Sequence, residues 1–253
     1  MYPFIHIGPL QLGTYGIFVA IGLLVAFFVM RRDLIRRGLS ADPNVIVGLT
    51  GLAGLAGARL YHLLETPGEF FADPLPLLFS TMGFAWFGSV IAGFITLILI
   101  ARHYKIPWLR MLDIASPAAA IGYGIGRIGC LISGDGDYGR PTSLPWGMSF
   151  PNGIVPTTDR VHPTPIYEFL ASLVIFFVLW RLGERWMREP RDIGKLFACY
   201  LILSGIARFF VEILRINPRS VFGVLTNAQT ASIACVLLGI VLLAMPRRMP
   251  VRT

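Results

Sequence analysis

Apolar residues fall into seven long runs separated by short polar segments. The runs cover 12–30, 44–65, 83–101, 111–132, 163–182, 194–214 and 227–245. Each is about 20 residues long, enough for a helix to cross about 30 Å of hydrocarbon. Period-2 alternation is absent, which disfavours strands in these runs. The expected fold class is therefore all-α, a single transmembrane helical bundle domain over 1–253 with seven transmembrane helices. The second and fourth runs are rich in Gly and Ala and carry Arg59 and Arg127. Small residues let helices approach closely in lipid, so these two are expected to be central. Asp42-Pro43 and Asp73-Pro74 punctuate loops.

Composition agrees with this pattern. The chain is 55% hydrophobic with a mean hydropathy of +0.68. Only 14% of residues are charged, against about 25% in soluble domains. A water-soluble surface cannot be built from so little charge. The first basic residue is Arg31, so no positive region precedes the first apolar run and that run is expected to be retained. Cys130, Cys199 and Cys235 lie in apolar stretches without CxxC spacing, which suggests neither a zinc site nor a disulfide framework.

The net charge of +8 would ordinarily raise nucleic acid as a partner. Its distribution says otherwise. Fifteen of the 22 basic residues fall between runs one and two, three and four, five and six, and after run seven. By the positive-inside rule that side is cytoplasmic, placing the N-terminus outside and the C-terminus inside. The loop 67–82 has no Lys or Arg, as an outer loop should. The stretch 133–162 is the longest outer connection, of a length that is often functional or disordered. Its Trp146 and Phe150 are expected to be able to dip into the headgroup layer.

The remaining basic residues are Arg59, Arg127, Arg140, Arg160, Arg208, Arg215 and Arg219. A charge inside a bilayer is expensive and marks function by default. At about 1.5 Å per residue, Arg127 lies about 24 Å along run four and Arg208 about 21 Å along run six. Arg59, Glu168 and Tyr15 fall at a similar outer level. Arg208 and Glu212 are four apart on one helix face, with Arg215 a further turn on. The plainer readings are a buried Arg208–Glu212 pair and an Arg215 that snorkels to the interface. The functional reading is an anionic ligand, since guanidinium matches phosphate in a bidentate fork. In that setting the available phosphate is a phospholipid headgroup.

Three stretches together resemble the prolipoprotein diacylglyceryl transferase family. They are Gly126-Arg127-Ile128-Gly129-Cys130-Leu131-Ile132-Ser133-Gly134 with Tyr138-Gly139-Arg140, then His162-Pro163-Thr164-Pro165-Ile166-Tyr167-Glu168, and Arg208-Phe209-Phe210-Val211-Glu212-Ile213-Leu214-Arg215. Tyr15-Gly16, Gly57-Ala58-Arg59-Leu60 and Asp113 with Pro117 match more weakly. Their order follows the family along nearly the whole chain. The resemblance implies an enzyme of the bacterial inner membrane without metal or organic cofactor. Such an enzyme moves a diacylglyceryl group from phosphatidylglycerol to the thiol of a prolipoprotein lipobox cysteine and releases glycerol 1-phosphate. It implies catalytic roles for Arg127, Arg208, Glu212, Asp135 (or Asp137) and His162. It implies lipid-binding roles for Arg127, Tyr15, Arg59, Gly139, Arg140, Glu168 and Arg215.

The chain departs from the family at four positions. Phe87 stands where the family has a histidine, Ser204 where it has a tyrosine, and Cys130 and Ser133 where it has asparagines. Two readings follow. One is a working transferase with a rearranged site, in which His62 or His162 supplies a base. The other is a phospholipid-binding relative that uses another acceptor, or none. A transporter also places charges inside a bundle, but it more often shows an inverted repeat, and none is visible here.

Overall fold

The computed structural model describes residues 2–8, 10–65, 67–68, 85–186, 192–221 and 223–245. The first residues of the third predicted span, nearly all of the loop 67–82 with Asp73-Pro74, and Arg188, Arg191, Arg247, Arg248 and Arg252 lie outside the described residues. A hairpin of β1 (Phe4–Ile7) and β2 (Leu10–Gly13) precedes α1 (Thr14–Arg36) and α2 (Pro43–Glu65). Next come α3 (Trp86–His103) and α4 (Trp108–Ser133). A connection carrying β3 (Met148–Phe150) and β4 (Thr157–Val161) leads to α5 (Thr164–Trp186), α6 (Lys195–Leu214) and α7 (Asn227–Ala244). All seven helices are long and apolar enough to cross a membrane. Leu24, Phe28, Leu52, Ile91, Val174 and Leu237 are each more than half exposed. Outward rows of this kind suit lipid rather than water, and the chain is a multi-pass membrane protein. Among the described residues, strands occur only in the two short hairpins, outside the spans.

The chain forms two compact units, Met30–Leu112 and Met1–Val29 with Asp113–Thr253. In the first, α2 and α3 meet through glycine. A Cβ at Gly88 would overlap the Gly57 carbonyl and the Tyr61 side chain, and one at Gly54 would lie 2.9 Å from Ser89 Oγ. Asp42 caps α2 by accepting the Asn44 N–H at 2.8 Å, with Pro43 in the first helical position that tolerates it. α1 runs on to Arg36, past the end of its apolar run. Fully buried Asp33 pairs there with Arg36 and, at 2.5 Å, with Arg37, so part of the basic charge is balanced within the turn. Of the two helices expected to be central, 22% of the residues in the apolar window of α2 are buried, against 50% in that of α4. The small residues of α2 serve its contact with α3.

In the larger unit, Ala120 of α4, Ile175 and Leu179 of α5 and Leu196 of α6 form a buried core. Gly124 brings α4 against Ser172, where a Cβ would sit 2.9 Å from the serine Cβ. Gly205 and Gly239 do the same between α6 and α7, with prospective contacts of 2.8 Å to Ser232 O and 2.7 Å to Ala198 O. α7 opens with a capping box, in which Thr226 and Gln229 each accept the other's backbone N–H at 3.1 Å.

Asp113 fixes the axial register of α6 against α4. It is fully buried, and its two oxygens accept the N–H groups of Gly194 and, at 2.8 Å, Phe197. These are donors that the first turn of α6 cannot satisfy internally. Measured from this anchor, Arg127 lies about 21 Å along α4 and Arg208 about 21 Å along α6. Two helices joined at one end therefore bring their arginines to one level.

Candidate functional site

Arg127, Arg208 and Arg215 converge on Glu168. Glu168 is 3% exposed and sits near the start of α5. Its Oε2 lies 2.5 Å from Arg127 Nη2 and 3.7 Å from Arg215 Nη1. Its Oε1 accepts from Arg208 and, at 2.8 Å, from the Tyr123 hydroxyl. Glu212 holds Arg208 Nη2 at 2.9 Å and Arg215 Nε at 3.7 Å, and it accepts from Asn217 Nδ2 at 2.6 Å. Asp137, from the segment after α4, bridges Arg127 Nη1 at 2.5 Å and Arg215 Nη2. Three guanidinium groups thus face three carboxylates. The arginines expected to face an anionic ligand already carry carboxylate partners, the anticipated Arg208–Glu212 pair among them, as the desolvation cost of buried charge demands.

The segment from 134 to 163 is a folded element. Gly134 (φ +62°) and Gly136 (φ +92°) turn the chain out of α4. The backbone of 139–142 then pairs along 160–162 through Gly139 N–H to His162 O (2.8 Å), His162 N–H to Arg140 O (3.0 Å) and Thr142 N–H to Arg160 O (2.8 Å). Arg140 N–H donates to Leu214 O at 2.8 Å, tying this element to the end of α6. Only glycine fits at 139, since a Cβ would stand 2.6 Å from Leu214 O. Phe150 is 1% exposed and stacks on Tyr138 at 5.0 Å. It therefore anchors the hairpin, and the headgroup expectation for it is wrong; its ring completes a small core. Trp146 is 55% exposed and donates its indole N–H to the Tyr167 hydroxyl at 2.8 Å. That hydroxyl lies 3.2 Å from His162 Nδ1.

The two aspartates of this segment differ in environment. Burial raises Asp137, but Arg127 and Arg215 lower it further, to about 2. Burial and the charge of Asp137 raise Asp135 above the ordinary value. Asp135 interacts instead with Cys130, whose Sγ also accepts from Arg127 Nη1 at 3.3 Å. The ligand atoms of Cys130, Asp135 and Asp137 lie within 4.8 Å of one another. Both Asp137 oxygens are held by guanidinium groups, which oppose a metal cation at the same carboxylate.

Of the other anticipated residues, Tyr15 opens α1, is 46% exposed and packs beside Gly129. Its phenol lies within electrostatic reach of Arg127, Asp135 and Asp137. Arg140 is exposed. Arg160 is also exposed and braces the 144–147 turn through the carbonyls of Leu144, Pro145 and Gly147. Arg59 and His62 belong to the smaller unit, where Arg59 is buried. Phe87 packs there with Trp86 (5.3 Å) and Tyr61 (6.5 Å). The Ser204 hydroxyl donates to Tyr200 O at 2.6 Å, one turn back on its own helix. Sequence reasoning missed Tyr123 and Asn217. Tyr123 was legible in principle, being four residues before Arg127 on the same helix face.

Fold and site define a multi-pass membrane protein with a charge-balanced arginine–carboxylate centre at the ends of α4 and α6. A family model described as prolipoprotein diacylglyceryl transferase matches residues 3–245. The chain is 33% identical over 236 residues to the phosphatidylglycerol–prolipoprotein diacylglyceryl transferase of Clostridium tetani, covering 91% of this chain and 92% of that one. It is 32% identical over 257 residues to the protein of that name from Geobacter sulfurreducens, covering 97% and 95%. A longer relative of the same name from Frankia alni is 34% identical over 244 residues, 92% of this chain and 63% of that protein. The chain belongs to the prolipoprotein diacylglyceryl transferase family.

Proposed function

We propose that this chain transfers a diacylglyceryl group from phosphatidylglycerol to the lipobox cysteine thiol of a prolipoprotein, in the inner membrane of a bacterium. The N-terminus and the charged centre lie on the outer side and the C-terminus in the cytoplasm. The observation that carries the reading is the convergence of Arg127 and Arg208 on Glu168 at one level, in a chain of this family.

The reaction joins sulfur to C3 of the lipid glyceryl group and breaks the bond between C3 and the phosphate oxygen. Glycerol 1-phosphate leaves with the electron pair. Arg127 and Arg208 stabilise the charge that grows on the departing phosphate. Glu168 and Glu212 hold those guanidinium groups in place, so little reorganisation is needed during the reaction. The thiol must lose its proton, because the thiolate is the nucleophile. Asp135 is the proton acceptor of this proposal. Its raised pKa makes it a better base than an ordinary aspartate, and the proton can pass to the leaving phosphate. His162, tied to Tyr167 and Trp146, positions the segment on which Gly139 and Arg140 lie. Tyr15 contributes a hydroxyl to lipid oxygens.

The replacement of the family histidine by Phe87, packed among aromatics, supports a second reading in which the acceptor is different. One assay separates the two. Purified protein in phosphatidylglycerol micelles is given a lipobox peptide with one cysteine, and peptide mass and glycerol phosphate are followed. A diacylglyceryl mass gain that Arg127→Ala and Arg208→Ala abolish is the expected result. Lipid retained by the protein with no gain in peptide mass would overturn transfer to this acceptor.

A further inference from the structure

The charge balance of the site raises a physical problem for any anionic substrate. Adding a phosphodiester to three guanidinium groups already matched by three carboxylates leaves a surplus negative charge in a desolvated place. That is unfavourable unless one carboxylate withdraws. The three are not equally able to do so. The side chains of Glu168 and Glu212 are 3% and 0% exposed and belong to helices. Asp137 is 28% exposed and sits on a loop just beyond two positive-φ glycines, Gly134 and Gly136. Its two oxygens engage two guanidinium groups from different elements, Arg127 Nη1 and Arg215 Nη2. Two non-bridging oxygens of a phosphodiester present the same charge and the same pair of acceptors.

We propose that the Asp137 carboxylate occupies the lipid-phosphate subsite between Arg127 and Arg215, and that the phosphate of the incoming lipid takes its place as Asp137 swings toward water. This rests on the reading of the centre as a phospholipid site. The exchange keeps the number of charges in the site constant. It also gives a route for product release, because the returning aspartate competes with the phosphate of glycerol 1-phosphate.

The test compares wild type with Asp137→Asn in detergent micelles. Phosphatidylglycerol retention is read by native mass spectrometry, and inhibition by glycerol 1-phosphate is read in the transfer assay. The variant binds phosphatidylglycerol about tenfold more tightly, the scale of one charge-assisted contact no longer opposed. Glycerol 1-phosphate inhibits it more strongly by a similar factor, so KM and kcat fall together. Equal or weaker lipid binding by a folded variant overturns the proposal. If the variant does not fold, amide exchange in the wild type decides. Exchange in 134–142 quickens on adding phosphatidylglycerol but not diacylglycerol, which lacks the phosphate. Unchanged or slower exchange with phosphatidylglycerol overturns it. Tighter binding by the variant, with no thioether product from either protein, would support the exchange while removing the transfer reading.

Discussion

Replacing Glu168 by glutamine tests the centre at its most connected point. The change keeps the side-chain volume and removes one negative charge. One acceptor oxygen remains for Arg208 and Tyr123 or for Arg127 and Arg215, and the other two donors lose theirs. A glutamine amide must also turn an N–H₂ toward a guanidinium, donor against donor. Removing one partner of a buried ion pair costs about 3–5 kcal/mol. At about 2–4 °C per kcal/mol for a chain of this size, Tm falls by about 6–20 °C. Thermal unfolding in detergent, followed by tryptophan fluorescence, measures this directly. Arg208→Gln alone leaves the opposite excess charge, and the double variant restores neutrality. The pair is therefore non-additive by at least about 1.5 kcal/mol. A Tm within about 2 °C of wild type, or strict additivity in the cycle, would refute the view that Glu168 organises the arginines.

Further outcomes follow from the same geometry. Gly139→Ala forces a Cβ against Leu214 O and disrupts the Arg140 N–H bond to that carbonyl. Transfer falls by about a hundredfold, because about 1 Å of misplacement is enough, while Tm changes by only a few degrees; steady-state kinetics and thermal unfolding check both. Asp113→Asn leaves one acceptor for the two backbone donors that start α6, costs about 1–2 kcal/mol as the loss of a helix cap does, and lowers transfer by letting Arg208 shift. For Asp137, held near 2 from an ordinary 3.8, the folded state binds fewer protons than the unfolded chain. Its contribution is present above about 3.8 and lost as pH falls toward about 2, so Asp137→Asn flattens the acid side of a Tm–pH curve. Asp135 is raised, so transfer rises with pH through a limb above 3.8, and Asp135→Asn removes that limb.

The seven helices were legible because lipid imposes a length and a composition on each run. Ends were less so. α1 continues to Arg36 because Asp33 folds back on two arginines, a local pairing that a hydropathy run does not register. The Arg208–Glu212 pair was legible from i, i+4 spacing. The convergence of Arg127 and Arg208 followed from equal depth. Depth also put Glu168 at their level, though not as the acceptor the arginines share; the pairing of Asp137 with Arg127 and Arg215 left no such signal, because it is made through a loop whose path two glycines set. The capping of α6 by a carboxylate some eighty residues earlier leaves no local signal at all. Depth put Arg59 at the level of the others; it is buried within the smaller unit.

The anchoring of α6 by Asp113 has a consequence for how such a chain can change over time. The stretches 113–127 and 194–208 are two arms of equal length hinged at one end. Substitutions along either arm can be absorbed by repacking. Inserting or deleting one residue in one arm would turn its arginine by about 100° and displace it by about 1.5 Å, breaking the match with its counterpart. Descendants of this sequence are free to rewrite the letters in these two stretches, but they must conserve the count, and a paired indel in both arms is the one length change they could survive.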